Sequence, residues 1–243
     1  MIGMWTIFRK ELNGYFASPI AYLIAFAFLL VTGLLFNNDL TTAVENRPAN
    51  PVVVPEFLAF AMVFFAPLIT MRSLAEESRE GTLELLLTAP VNDTAIVLGK
   101  FLGAWVFYTI LLLIPLVSYG IILMSLASVP DIGQMMAGYI GIWLYGGAAL
   151  AVGLVFSALT DNQIVAAFLG MTFLLLMWMG DLAGQIVASF ELAELIRDLT
   201  LIGHFSSSFL SGLIRFEDVV YYAGIITIAL FISIQIVQSR RWR

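Results

Sequence analysis

The sequence predicts an all-α polytopic membrane protein, a single domain over residues 1–243 with six transmembrane helices. Of the 243 residues, 61% are hydrophobic and only 12% are charged, and the mean hydropathy is +0.98. A soluble domain of this length cannot bury so much apolar surface, so the solvent must be lipid. The apolar residues also form repeated long runs, and about 20 helical residues cross a hydrocarbon core about 30 Å thick.

An amphipathic segment precedes the first span. Apolar residues recur at helical spacing over Met1–Ser18, while Arg9, Lys10 and Glu11 take the other side. This pattern predicts an interfacial helix that lies on the membrane, with a simple cytoplasmic stub as the alternative. The six spans that follow are predicted at Pro19–Phe36, Pro55–Met71, Ile96–Ala127, Met135–Leu159, Ile164–Gly180 and Val219–Gln238.

The distribution of Lys and Arg predicts the orientation. With the N-terminus in the cytoplasm, eight basic residues lie inside and three lie outside, a clear bias toward the cytoplasmic side. Both termini and the loop that begins at Arg72 are therefore expected in the cytoplasm. The inside set is Arg9, Lys10, Arg72, Arg79, Lys100, Arg240, Arg241 and Arg243, and the outside set is Arg47, Arg197 and Arg215.

The predicted loops differ in kind. Asn37–Val54 contains two prolines and is expected to be an irregular external connector. Thr160–Gln163 is expected to be a tight cytoplasmic turn in which Asp161 or Asn162 caps the fifth span. Asp181–Asp218 is external but rich in Leu, Ile and Phe at helical spacing. It therefore predicts one or two short helices packed against, or dipping into, the outer leaflet.

The composition argues against several classes of protein. There is no Cys and one His, His204, so an imidazole-built or thiolate-built metal site is not expected; His204 is expected to be a satisfied polar group. The span cores hold no ionisable residue, unlike carriers driven by ion gradients, although backbone carbonyls at broken helices remain an alternative ion site. Lys100, near a span limit, is expected to reach the interface. Gly99-Lys100 also lacks the flanking residues of a phosphate-binding loop.

Within the spans, proline and glycine mark special positions. Pro67 and Pro115 each remove a backbone donor and favour a kink. A kink at Pro67 would convert movement of the following loop into tilt of the second span, and plain structural kinking is the alternative. Gly99-x-x-x-Gly103 fits a close helix approach, and ordinary intramolecular packing is the default interpretation.

The charged segment Arg72–Pro90 concentrates the charge of the chain in one cytoplasmic loop. Its glutamates recur at three- and four-residue spacing and predict one acidic helix face, opposite a stripe formed by Leu83, Leu86 and Leu87. Gly81 is expected to break the helix and Pro90 to end it. Such a helix can dock its leucines on the membrane domain and its glutamates on a basic partner; a solvated loop helix is the alternative. The glutamates are Glu76, Glu77, Glu80 and Glu84.

The charged segment, together with four other segments given below, resembles the permease subunit of ABC transporters of the ABC-2 type. Among these permeases, the chain is similar to the gliding-motility-type branch. The most specific match is the Glu-rich GTLELLL in the charged loop. The matching segments cover nearly the whole chain in order: FASPIAYL at Phe16–Leu23, TMRSLAEESREGTLELLLTAPV at Thr70–Val91, VLGKFLG at Val97–Gly103, TDNQIVA at Thr160–Ala166 and HFSSSFLSGLIRFEDVVYY at His204–Tyr222.

The resemblance implies a coupling helix at Glu76–Leu87 that seats in a groove of a separate cytoplasmic ATPase, with Thr160–Gln163 as a second contact. It also implies short re-entrant external helices before the sixth span. No cofactor is expected in this chain, because ATP and Mg would be bound by the partner ATPase. The residues expected at the ATPase interface are Glu76, Glu77, Glu80, Gly81, Thr82, Glu84, Asp161, Asn162 and Gln163.

The implied assembly contains two ATPase copies and a second permease copy or paralogue in a bacterial inner membrane. A further membrane partner with an external domain is implied for the gliding-motility-type branch, and no nucleic acid is expected. Three functions follow: ATP-driven translocation, most simply export; force transmission to an external partner without solute movement; and an unrelated membrane enzyme or channel. The last would need ionisable or metal-binding residues in the span cores, which the sequence does not supply.

Overall fold

The structure, a computed structural model, describes residues 2–46, 49–82, 91–125, 131–186 and 199–240. In order, its helices are α1 (Ile2–Ala17), α2 (Pro19–Asn46), α3 (Val53–Thr70), α4 (Ala75–Arg79), α5 (Asp93–Ser125), α6 (Ile132–Leu159), α7 (Gln163–Ile186), α8 (Leu201–Ser207), a 3-10 turn at Phe209–Ser211, and α9 (Phe216–Arg240). Six of the described helices are long and apolar enough to cross a membrane. The predicted fold class and the six spans are confirmed.

Helix α6 forms the centre of the bundle and is the most deeply buried span. It packs against α3, α5, α7 and α9. Its small residues allow large side chains of neighbouring helices to approach its backbone. At Gly146, for example, an added Cβ would overlap the Tyr108 ring, whose hydroxyl donates to the carbonyl of Ile142 at 2.9 Å. The centre of the bundle is therefore fixed by close helix approach.

Helix α1 packs along the first half of α5. The contact uses the predicted glycine pair, because a Cβ at Gly99 would lie 2.9 Å from Ile7 Cγ2 and one at Gly103 would lie 2.8 Å from Glu11 Cβ. The expected close approach at Gly99-x-x-x-Gly103 is confirmed, and it serves intramolecular packing. Helix α1 is thereby held against the bundle along its length.

The expected irregular connector at Asn37–Val54 is wrong for its first part, since α2 continues to Asn46. The hydroxyls of Thr41 and Thr42 both donate to the carbonyl of Asn38, at 2.9 and 2.8 Å, which is compatible with continued helix. Asp39 is buried and accepts the Asn50 backbone N–H at 2.9 Å. The polar residues therefore support a helix extension and fasten the chain that returns to α3.

The segment 181–218, which we expect to be external, contains short helices, as predicted. Residues 181–186 end α7, and α8 and the 3-10 turn follow, with Phe205 and Phe209 fully buried against the bundle. Gly212 ends the 3-10 turn in the left-handed region, at φ 81°. The predicted apolar positions between residues 187 and 198 lie outside the described residues.

Candidate functional site

The charged end of the bundle is where α1, residues 71–82, residues 160–163 and the last turn of α9 meet. Helix α4 is short and runs from Ala75 to Arg79. Gly81 follows at φ 70°, a left-handed conformation that glycine adopts without strain. The predicted break at Gly81 is confirmed. Glu84, the leucine stripe and the remainder of the expected coupling helix lie outside the described residues.

A buried serine of α6 fixes the start of α4. Ser157 Oγ accepts the backbone N–H groups of Leu74 and Ala75, each at 3.1 Å, and donates to the carbonyl of Met71 at 3.2 Å. The first turn of a helix has unpaired N–H groups, and this hydroxyl satisfies two donors there. Ser157 was not predicted as a site residue; its only signal is a hydroxyl three residues before the predicted turn at residue 160.

Helix α4 is joined to α1 and α5 through an ion cluster of Lys10, Glu11, Glu77 and Lys100, which is buried except for the exposed Lys10. Lys100 Nζ donates to Glu11 Oε1 at 2.5 Å and lies 2.8 Å from Glu77 Oε2, an ion pair without hydrogen-bond alignment. Lys10 Nζ donates to Glu77 Oε1 at 3.0 Å. Burial opposes the charge of Lys10, but the hydrogen bond to Glu77 and the nearby carboxylates raise the pKa of Lys10 above its ordinary value.

The expectation that Lys100 reaches the interface is wrong. Its side chain is 1% exposed, and Glu77, at 13%, is also mostly buried. A buried ammonium is costly unless it is paired, and here two carboxylates from different helices reach it. The ion pairs therefore hold α1, α4 and α5 together.

A second ion pair ties α4 to the end of α3. Arg72 donates from Nε and Nη2 to the two carboxylate oxygens of Glu76, both at 2.7 Å, and from Nη1 to Ser18 Oγ at 3.1 Å. A two-pronged guanidinium–carboxylate pair fixes orientation as well as distance. Helix α4 also contacts α7.

The third connection joins α4, the turn after α6 and the end of α9. Asp161 Oδ1 accepts from Ser78 Oγ and from Arg240 Nη1, each at 2.5 Å. The hydrogen bond from Ser78 and then the one from Arg240 lower the pKa of Asp161 below its ordinary value. Asn162 Oδ1 accepts from Ile164 N–H at 2.9 Å, so Asn162 is the N-cap and the predicted capping of the fifth span is confirmed.

The expectation that the glutamates share one outward face differs from the structure. Glu76 pairs with Arg72 and Glu77 pairs with Lys100, so both glutamates face into the protein. Helix α4 also ends at Arg79, before a long acidic face can form. Glu80 is exposed, as are Gly81 and Thr82. Next to them, Asp161 and Asn162 are exposed and Gln163 is half-buried.

We call the exposed residues of this end the outer strip: residues 79–82 together with Asp161, Asn162 and Ile164. An open depression of about 550 Å³, lined by Arg79 and residues 160–164, separates its two parts. The strip carries both signs of charge, with Arg79 and Glu80 beside Asp161. The Ile164 side chain is also exposed at its edge. The charged end thus combines a paired interior with an exposed, mixed surface.

The polar groups at the opposite end are engaged with one another. His204 Nδ1 lies 2.7 Å from Asp218 Oδ1, and Ser208 Oγ donates to Asp218 Oδ2 at 2.5 Å. Because the hydroxyl donates to the carboxylate and not to the imidazole, this is not the arrangement of a serine nucleophile and its base. The prediction that His204 is a satisfied polar group is confirmed. No group of three or more candidate metal ligands occurs among the described residues.

Comparison with known proteins agrees with this architecture. The chain is similar to the probable ABC transporter permease protein NosY of Pseudomonas aeruginosa, at 33% identity over 162 residues, which cover 64% of this chain and 57% of NosY. It is also similar to the probable multidrug ABC transporter permease YbhR of Escherichia coli K12, at 30% identity over 122 residues, 49% of this chain and 31% of YbhR. The matched part therefore spans just over half of one relative and under a third of the other.

A family model described as ABC-2 family transporter protein matches residues 37–239. The match includes four of the six spans in full, α9 except for its last residue, residues 71–82 and the turn at residue 160. With its six-helix architecture, the chain belongs to the ABC-2 transporter family and is a multi-pass membrane protein.

Proposed function

We propose that this chain is the membrane-spanning subunit of an ATP-driven exporter and that the outer strip is the docking surface for a separate ATPase. The observation that supports it best is the junction of residues 79–82 with the turn at residue 161, made by the hydrogen bond from Ser78 to Asp161. Two segments far apart in sequence thereby present one surface. The described part of the segment expected to form the coupling helix, residues 76–82, is thus adjacent to the turn expected to form the second contact.

The ion cluster supplies a physical route from this surface to the spans. Helix α4 is bound to α1 and α5 through Glu77 and to α6 through Ser157, and it also contacts α7. Breaking a buried ion pair by removing one partner costs about 3–5 kcal/mol. A displacement of α4 therefore moves these helices with it. ATP binding by the partner would then act by favouring one of two helix packings.

The proposed setting is a bacterial inner membrane with the charged end in the cytoplasm. Lys10, Arg72, Arg79, Lys100 and Arg240 all lie at this end, and basic residues mark the cytoplasmic side of membrane proteins. Two ATPase copies would bind two permease chains, this chain with a second copy or a paralogue. The ATP and Mg would be held by the ATPase.

Charge reversal on the outer strip tests the docking surface. Glu80→Lys reverses an exposed charge on the strip, and we expect it to reduce co-purification of the ATPase. Glu217→Lys makes the same change at an exposed position of the opposite end and is the matched control. Equal co-purification by the two variants would contradict the proposed surface. Glu77→Lys is unsuitable, because it would place a third cation beside Lys10 and Lys100 and disrupt the fold.

Force transmission to an external partner is the second candidate function. It is supported by the resemblance to the gliding-motility-type branch and by exposed apolar side chains at the end opposite the strip, Leu213, Ile214 and Phe216. Transport is supported by the relative described as a probable multidrug permease. ATPase activity with a flux readout in liposomes separates the two, since only a transporter produces flux of solute coupled to ATP hydrolysis.

A further inference from the structure

A cavity of about 180 Å³ lies between α1, α2, α3 and α5, directly beneath the ion cluster. We propose that this cavity binds the headgroup of an amphiphile with a primary ammonium group, and that its occupant is a membrane phospholipid with an ethanolamine headgroup. The proposal is independent of the docking surface on the outer strip, because it concerns the inner side of α1. It also requires no ATPase.

The lining of the cavity changes from polar to apolar along the bundle. At the charged end it is formed by Ser18, Arg72 and three residues of the ion cluster, and toward the membrane by Ile24 and Phe107. The three cluster residues are Glu11, Glu77 and Lys100. Ile20 lies on the boundary, lines the cavity and is exposed on the outer surface of the bundle. The transition occurs where the predicted spans begin. A ligand with a polar head and an apolar tail matches this division, with its tail leaving past Ile20 into the bilayer.

The polar lining favours a headgroup that carries both an ammonium group and an anionic group. Three carboxylates, Glu11, Glu76 and Glu77, face the cavity with two cations, Arg72 and Lys100. Lys10, which does not line the cavity, also pairs with Glu77, so the paired groups together carry no net charge. A carboxylate offers about four acceptor sites, so acceptors remain on these carboxylates beside the donors of Arg72. A headgroup with an ammonium donor and an anionic acceptor complements this lining.

The same geometry discriminates among lipid headgroups. A primary ammonium donates three hydrogen bonds, whereas a trimethylammonium has no N–H to donate. Arg72 uses three of its five N–H groups in hydrogen bonds. The remaining two N–H groups can donate to a phosphodiester oxygen. An ethanolamine phospholipid satisfies both the carboxylates and Arg72. A glycerol headgroup lacks the cation, and a choline headgroup lacks the donors.

Headgroup selectivity of the wild-type protein tests the proposal. The protein, reconstituted with equal amounts of ethanolamine, choline and glycerol phospholipids of the same acyl chains, is released from the membrane and its bound lipid is identified by native mass spectrometry. One charge-assisted hydrogen bond corresponds to about a tenfold preference, so we expect about tenfold more ethanolamine lipid to be retained. Equal retention of the three lipids would overturn the proposal.

Gly14 allows the cavity to be filled without disturbing its charges. It lines the cavity, and a Cβ added there meets no atom within 4 Å. We expect Gly14→Leu and Gly14→Trp to reduce the retained ethanolamine lipid progressively, while Gly14→Ala retains it. Gly224→Trp is the matched control, because Gly224 also has open space at its Cβ and does not line the cavity. Undiminished lipid retention by a folded Gly14→Trp would refute the assigned site.

Competition identifies the recognised group. Dodecylamine carries the ammonium without a phosphate, and we expect it to displace the ethanolamine lipid, whereas dodecanol of the same chain length should not. Displacement by both compounds would show that only the apolar part is bound. Displacement by neither would exclude the ammonium as the recognised group.

Discussion

Replacing Lys100 by methionine isolates the energetic role of the buried cluster. Lys100→Met keeps the length and the apolar stem of the side chain but removes the cation that Glu11 and Glu77 share at 2.5 and 2.8 Å. Two largely buried carboxylates then lose their principal counter-charge. Removing one partner of a buried ion pair costs about 3–5 kcal/mol, most of which is the penalty of the charge left behind. We expect the free energy of unfolding to fall by this amount.

The assay is reversible unfolding by SDS in mixed micelles, with Arg79→Met as the matched control. Arg79 also forms an ion pair with a glutamate, Glu80, but the side chain is 59% exposed and the distance is 4.0 Å. An exposed pair of this kind contributes below about 1 kcal/mol. The double variant Lys100→Met, Glu77→Gln is expected to recover part of the loss, because the carboxylate left unpaired is also removed. A loss below about 1 kcal/mol for Lys100→Met would refute the reasoning.

Three further perturbations probe the charged end. Ser157→Ala removes three hydrogen bonds to the chain around α4, and we expect a loss of about 1–3 kcal/mol, with faster hydrogen exchange of the two amides it accepts; unchanged exchange would contradict this. Gly81→Ala places a side chain at φ 70° and should cost about 1 kcal/mol in the same unfolding assay, whereas Gly14→Ala should not. The pKa of Asp161 is lowered, so its hydrogen bonds from Ser78 and Arg240 contribute stability above the ordinary pKa of 3.8 and lose it as the pH falls through the lowered value. Fluorescence of a label at the end of α9 should therefore be constant from pH 8 to about pH 5 and change only in more acidic solution, and Asp161→Asn should abolish that change.

The fold was largely predictable because lipid imposes a simple requirement on sequence. A helix that crosses a bilayer must be long and apolar, and each of the six spans meets this requirement locally. The error at Asn37–Asn46 has a cause that the local sequence does not reveal. Polar residues are typical of connectors, but Thr41 and Thr42 bond back to Asn38 and Asp39 is buried by the returning chain. Whether such residues end or extend a helix depends on contacts that lie outside the segment.

The ion pairs and hydrogen bonds inside the charged end could not be predicted from the sequence, and the reason is a different one. Lys10 and Glu77 are 67 positions apart, Lys100 and Glu11 are 89 apart, and Ser157 is more than 80 positions from the amides it accepts. Helical spacing indicates which residues share a face of one helix, but it does not indicate which other helix that face meets. The acidic spacing in the charged segment was real, yet Lys100 and Arg72 decided that Glu77 and Glu76 face inward.

The ion pairs beneath α4 and the exposed outer strip are separate parts of the charged end, and a partner docked on the strip would contact only the second. Three cations, Lys10, Arg72 and Lys100, are matched by Glu11, Glu76 and Glu77, so the paired groups carry no net charge, and Lys100 with its two carboxylates is largely shielded from solvent ions. The outer strip carries both signs of charge and is exposed, so long-range electrostatic steering of a partner is weak and contacts there are screened by salt. A partner can therefore bind and leave without breaking the buried pairs. The free energy that holds α4 to the spans is separate from the free energy of docking, which allows a reversible contact to move a rigid group of helices.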